Sequence, residues 1–358
     1  MSDATNKKID VRPGEELNAA EIDAFLKARI GGLKGEPLIR QFASGHSNLT
    51  YSIVYENKRL VLRRPPFGTR PKSGHSMIRE FRVMNALKPV YPAVPITHFH
   101  VPDEESPLGV EFYVMDEVEG YKIDRDMPAG LNFDAAKNRA LCESFFEKLI
   151  ELHAVDFKAI GLGDFGHPEG YVERQIKGWN GRYEKVITDD VEDFADVRGW
   201  LEAKMPAGEV GHAIVHGDYR LDNAILNLAD PLKIEAILDW EISALGDPLM
   251  DLGNTLAYWS QAGDPGNILA MRMQPSNAPG MMTRREIVDF YQAKTGIDCS
   301  HFDFYLIAGV FRLAVILQQI YYRYYHGQTQ NKAFSTFGER TNALGRYARS
   351  LIEGSNIR

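Results

Sequence analysis

The sequence predicts an α+β protein with two lobes, a small one built on an antiparallel sheet and a larger, mainly helical one. Three observations predict it: short strand-like runs in the first third of the chain, long helical periodicities in the rest, and one β segment interrupting those helices. We place the lobes at residues 1–117 and 118–358, with a helical insert at about 165–210.

Each element rests on a local pattern. Asn18-Ala19-Ala20-Glu21 reads as a capping box opening a helix with Ile22, Phe25, Leu26 and Ile30 on one face, and Gly31-Gly32 ends it. Strands are expected at Leu38–Ala43, Leu49–Tyr55 and Leu60–Arg64, separated by turn-like segments at 44–48 and 56–59. Ile78, Phe81, Met84 and Leu87 recur at helical spacing, so a helix should run from about Ser76 to Leu87. Two further strands fit Val94–Val101 and Val110–Asp116. Beyond Gly120, helices are expected at Ala135–Ala154, Tyr171–Val186, Val197–Lys204, Asp251–Tyr258, Arg284–Thr295 and Phe302–Tyr325. The β interruption comprises Ala213–Val215, Ala224–Leu228 and Lys233–Leu238.

Composition excludes several function classes. With 44% hydrophobic and 25% charged residues over 358 positions, the chain has the balance of a soluble globular protein with a large core. A net charge of -8 argues against a protein that binds nucleic acid by neutralising phosphates. Cys142 and Cys299 stand far apart with no metal-binding spacing, so we expect reduced thiols in a cytoplasmic protein. The first ten residues are polar, without the apolar core of a secretion signal. Arg312 and Gln318-Gln319 interrupt the apolar run Tyr305–Ile320, which reads as a buried core helix and not a membrane span. Nothing points to an obligate protein partner.

The segment that carries chemistry is His216-Gly217-Asp218-Tyr219-Arg220-Leu221-Asp222-Asn223, followed after one hairpin by Leu238-Asp239-Trp240. Moving a phosphoryl group from ATP to an alcohol needs a carboxylate to take the hydroxyl proton, and an amide oxygen with a second carboxylate to hold magnesium. Asp and Asn five residues apart, then an Asp at a strand end folded back by a hairpin, supply those groups. Asp164-Phe165-Gly166 precedes this loop and reads as a turn. His212 and His216 flank a β-like run, so their spacing does not make a helical zinc pair.

This pattern, with Gly246-Asp247-Pro248-Leu249-Met250-Asp251-Leu252 downstream, resembles the aminoglycoside phosphotransferase family of kinase-like enzymes. The branch most resembled includes the phosphotransferase domains fused to some acyl-CoA dehydrogenases, and the likeness runs from about Leu38 to Tyr325. It implies the bilobal protein-kinase-like fold, ATP and magnesium as cofactors, and a small-molecule hydroxyl as acceptor. Carried over by position, it implies that Asp218 is the catalytic base and that Asn223 and Asp239 bind magnesium. Arg220 would steady the transferring group, while His216 braces the loop. Ser44, Gly45, His46, Ser47 and Asn48 stand where the family positions nucleotide phosphates, and turn amides of this kind can cradle anions. Arg63 stands where kinases place a lysine, with Arg64 on the opposite strand face, and Glu80 would pair with that cation. Asp116 and Val118 would offer backbone groups to adenine at the hinge between lobes.

Two rival readings differ in class. A protein kinase is disfavoured by Gly217 within His-x-Asp and by the lack of an activation segment after Asp239. A catalytically silent kinase-like nucleotide binder is disfavoured because all three chemical positions are intact, although Arg63 departs from the usual lysine. The segment Tyr171–Met205 resembles the insert that walls the acceptor pocket in family members. Asp189, Asp190, Glu192 and Asp193 read as a solvated loop in preference to a site for ammonium groups.

Overall fold

Antiparallel pairing of short alternating runs builds the first lobe. The computed structural model describes residues 8–43, 48–66, 76–128 and 130–357. One sheet has the order β1 (Lys8–Ile9), β2 (Leu38–Phe42), β3 (Leu49–Val54), β4 (Arg59–Arg64), β6 (Phe112–Asp116), β5 (Thr97–Val101), with every neighbouring pair antiparallel. Helix α1 (Ala19–Arg29) covers one face, and its Ile22 and Leu26 pack with Tyr51, Ile53, Leu60, Leu62, Phe112 and Val114. The Asn18 side chain caps it by accepting the Glu21 N–H. Helix α2 (Met77–Leu87) lies on the other face, where its Val83 and Met84 join a second core that includes Tyr113. The two-residue β1 is too short to show alternation and was not anticipated.

The second lobe is helical around two small sheets. Strands β7 (Tyr121–Lys122), β9 (Ala224–Leu226) and β10 (Ile234–Ile237) form one, and β8 (Ala213–Val215) pairs with β11 (Ala244–Gly246) in the other. The helices are α3 (Ala135–His153), α4 (Tyr171–Glu184), α5 (Ala195–Ala203), α6 (Pro248–Ala257), α7 (Gly266–Ala270), α8 (Arg284–Thr295), α9 (Phe302–Tyr325) and α10 (Phe337–Gly354). By length and composition α9 could cross a membrane, but most of its apolar stretch is buried within the fold. It packs chiefly against α6 and α10. The fold is α+β and bilobal.

Two features of this lobe go beyond what the sequence reading gave. Helix α10 was not anticipated, although Leu344, Tyr347, Leu351 and Ile352 recur at helical spacing and pack on the core; its most buried positions are small, Gly338, Thr341, Ala343, Gly345 and Ala348 beside Leu344. Small residues suit close packing, and among them the stripe of larger apolar side chains was overlooked. The acidic segment before α5 is exposed at Asp189, Asp190 and Asp193, as a solvated loop should be, and it also makes contacts that the sequence did not show. Asp190 accepts from Tyr321 Oη, and Glu192 pairs with Arg346 and Arg349, so it is stitched to α9 and α10.

Candidate functional site

Strand alternation decides what faces the space between the lobes. In the register of β3, β4 and β6, Arg63 sits opposite Thr50 and Tyr113, and Val61 opposite Met115. These five side chains line a cleft of about 270 Å³ whose far wall includes Arg220, Asp222, Asn223 and Asp239. Asp116, Glu117 and Val118 line the same cleft at the end of β6. Arg64 points the other way: it is buried, and its Nε donates to Pro65 O. Ser44, Gly45, His46 and Ser47 lie outside the described residues; Asn48, next in the chain, is 3% exposed.

Arg63 is the hub of the cleft. Its Nη1 donates to Glu80 Oε1 at 2.6 Å, and its Nη2 donates to Asp239 Oδ1 and Glu241 Oε2, both at 3.0 Å. Burial works against the guanidinium charge, but Glu80, Asp239 and Glu241 outweigh it and keep Arg63 cationic. Burial would likewise raise the Asp239 carboxyl. The charge and hydrogen bond of Arg63 outweigh that too, and hold it below the usual aspartate range. Glu80 goes the other way: burial, with Asp239 and Glu241 adding to it against the pull of Arg63, pushes it up to about 7.

The loop after β8 is held from below. Gly217 adopts φ +81°, a left-handed conformation that a glycine takes without strain. The two oxygens of the buried Asp251 carboxylate accept the N–H groups of His216 and Gly217, each at 2.7 Å. Arg312 Nη2 donates to Gly217 O at 3.1 Å. The His216 ring is fully buried; its Nδ1 accepts the Asp218 N–H at 3.2 Å and its Nε2 donates to Leu238 O at 3.0 Å. That pattern requires a neutral imidazole, and burial lowers its pKa. The ring therefore ties the loop to the strand end before Asp239.

These braces bring the sequence-predicted groups together. Asn223 Nδ2 donates to the main-chain O and to Oδ2 of Asp218 at 2.9 and 3.2 Å. Leu238 N donates to Asn223 O at 2.8 Å, so the residue before Asp239 is pinned against Asn223. Asp239 is one of two described non-glycine residues with a left-handed backbone, at φ +69°. Such strain is tolerated by Asp more than by most residues and gathers at functional sites. Arg220 lies 3.1 Å from Asp218 Oδ1 and 3.2 Å from Asp222 Oδ2, over the Tyr258 ring. Sequence reasoning passed over Glu241 and assigned no role to Asp251. The spacing Asp239-x-Glu241 puts both carboxylates just past one strand end and was the available signal.

A second cavity of about 880 Å³ shares Arg220 with the cleft. Its wall comes from the end of α6, from α7 and the chain after it, and from α9 and α10. The segment Tyr171–Met205, expected to wall an acceptor pocket, contributes none of its lining residues. Helices α4 and α5 instead pack on α9, so its apolar faces are spent on the core.

Comparison with known proteins agrees with this architecture. A crystal structure from Ralstonia eutropha assigned as an aminoglycoside phosphotransferase is 28% identical, with TM-score 0.79 over 95% of this chain and 99% of its own. Choline kinase from Cryptosporidium parvum shares the fold at 12% identity, with TM-score 0.65 over 94% and 96% of the two chains. Mouse acyl-CoA dehydrogenase family member 10 is 32% identical over 95% of this chain, and member 11 is 28% identical over 92%. This chain spans only 32% and 43% of those two relatives' lengths. The sequence profile of the phosphotransferase enzyme family matches residues 38–282, which include strands β2–β6, the cleft and the braced loop, and the chain belongs to that family.

Proposed function

We propose that this chain transfers the terminal phosphoryl group of ATP, with magnesium, to a hydroxyl of a small molecule. The observation that carries the reading is the joining of Asp218, Asn223 and Asp239 by the Leu238–Asn223 and Asn223–Asp218 hydrogen bonds, facing Arg63 across the cleft.

The donor set suits magnesium. With its Nδ2 turned to Asp218, Asn223 has its amide oxygen left as a ligand, and Asp239 is an ionised carboxylate. Asn223 and Asp239 would hold the ion, and bound there it neutralises phosphate charge. Arg63, aimed by Glu80, would bind the inner phosphates, together with the segment Ser44–Asn48. Backbone groups of Asp116 and Val118 would meet adenine. Asp218 would take the proton of the acceptor hydroxyl as its oxygen bonds to the terminal phosphorus and ADP leaves. Arg220 would steady the transferring group.

The second cavity supports an acceptor class. Arg125, Arg220, Arg272, Arg323 and Arg340 line it, with Leu313, Ile316, Leu317 and Ile320 of α9; Arg220 is paired with Asp218 and Asp222 and Arg272 with Asp126, and among the described residues no carboxylate lines the cavity itself. A polycationic aminoglycoside would meet repulsion there. An aliphatic compound bearing an anionic group, such as a hydroxy acid or its CoA ester, fits both the charge and the apolar wall. Work in the cytoplasm, where ATP and reduced thiols coexist, completes the proposal.

The test is ADP release with magnesium and ATP across aminoglycosides, macrolides, choline, homoserine, hydroxy acids and their CoA esters. We expect stimulation by a hydroxy acid or CoA ester, and Asp218→Asn to lower that rate by about 10²–10⁴-fold, the usual worth of a positioned general base. ATP binding without turnover of any acceptor would favour a silent nucleotide binder, and no ATP binding would overturn the reading.

A further inference from the structure

We propose that Glu241 is a positioning residue that clasps the two lobes around the nucleotide phosphates. The inference rests on the proposed ATP site. It assigns a role that the motif leaves empty.

One oxygen carries the clasp. Glu241 Oε2 accepts from Arg63 Nη2 at 3.0 Å and from Asn48 Nδ2 at 2.9 Å. Arg63 belongs to β4, and Asn48 immediately precedes β3, next in the chain to the segment 44–47 that would meet phosphates. Glu241 follows Asp239 by two residues in the other lobe. A single carboxylate thus joins the phosphate-facing cation, the residue that leads into β3 and the segment of the proposed metal ligand. The Asn48 amide is buried, so its bond to Glu241 is not replaceable by solvent without opening the site.

Charge and geometry explain why a second carboxylate is needed there. Arg63 Nη2 is shared between Asp239 and Glu241, while Nη1 is held by Glu80. If Asp239 turns its oxygens to a metal, Arg63 loses one of its three carboxylate partners. Glu80 and Glu241 still hold its two nitrogens, so the planar fork keeps its aim. Without Glu241, Nη2 would depend on Asp239 and compete for the metal's own ligand. The clasp therefore acts on nucleotide affinity even where no metal is present, unlike a group that only holds the metal, whose loss would appear as a higher magnesium requirement.

The experiment is calorimetric binding of ADP to the full chain in EDTA and in magnesium, with thermal unfolding of each nucleotide-free variant. We expect Glu241→Ala to weaken ADP binding at least tenfold in EDTA. Asn48→Ala should weaken it less, and the double variant should be no weaker than Glu241→Ala alone, because both remove one shared contact. Glu241→Gln, which keeps an acceptor oxygen, should recover part of the loss at an unchanged unfolding midpoint. Binding in EDTA within twofold of the parent, or a defect seen only as a raised magnesium requirement, would overturn the clasp and leave the ATP site standing. Strictly additive losses would overturn it too. A parent chain that binds no ADP would overturn the site and the clasp together.

Discussion

His216 shows how much a single side chain can organise without touching substrate. Its Nδ1 takes the Asp218 N–H and its Nε2 reaches Leu238 O, so one neutral ring spans the loop and the strand end beside it. Trp240 packs against the ring edge at a centroid distance of 4.7 Å. The chemistry has a measurable sign. In the unfolded chain a histidine takes up a proton below about pH 6.5, while burial keeps His216 neutral in the fold. The unfolded state then binds more protons, so stability falls as pH drops through that window, by at most about 1.4 kcal/mol per unit. We expect urea unfolding at pH 7.5 and 5.5 to show a smaller acid loss for His216→Gln than for the parent. An unchanged difference would mean that the ring protonates in place.

At the scale of elements, the loop is aimed by helix packing. Asp247 caps α6 by accepting the N–H groups of Leu249 and Met250 at 2.7 and 3.2 Å, and Asp251, one turn on, reaches up to His216 and Gly217. Helix α6 is set in turn by α9, which it meets at backbone contact. A Cβ added at Gly253 would lie 2.3 Å from Tyr305 O, and one at Gly309 would lie 2.4 Å from Gly253 O. Neither obstacle is a side chain that can swing away. Gly309→Ala should therefore destabilise the fold by about 1–3 kcal/mol, the range for overpacking, and shift the loop that α6 supports. Thermal unfolding with ADP-release kinetics tests both, and an unchanged melting temperature would show that α6 and α9 separate easily. Helix α10 is the contrasting case. Its Gly345 faces the Phe194 ring so closely that a Cβ would lie 2.1 Å from it, a fit between segments that no apolar count reveals.

Across the whole molecule, two spaces meet at Arg220: the cleft under the sheet and the cavity walled by α9 and α10. The chain carries a net charge of -8, yet among the described residues this cavity is lined by five arginines and no carboxylate. Local charge, not the total, decides what such a site attracts. Arg323 and Arg340, on α9 and α10, line it and do not line the cleft. Replacing both by alanine should raise KM for an anionic acceptor at least tenfold, about 1.4 kcal/mol, with KM for ATP unchanged. A rise in KM for ATP, or none for the acceptor, would argue that the acceptor binds elsewhere.

The sequence by itself determined what is written in short-range patterns. Alternation set Arg63 and Arg64 on opposite faces, Asn18 marked a helix start, and the spacing of Asp218, Asn223 and Asp239 marked the loop and the strand end. These are legible because period, cap and turn depend on residues within a few positions of one another. Only the tertiary structure decided which face of β4 looks into the cleft, since that depends on α1 covering Leu60 and Leu62. It also decided that Glu241 meets Asn48 across 193 residues of chain, and that α9 and α10, not the segment Tyr171–Met205, wall the second cavity. Contacts between distant segments follow from how whole elements pack, and no local period records them.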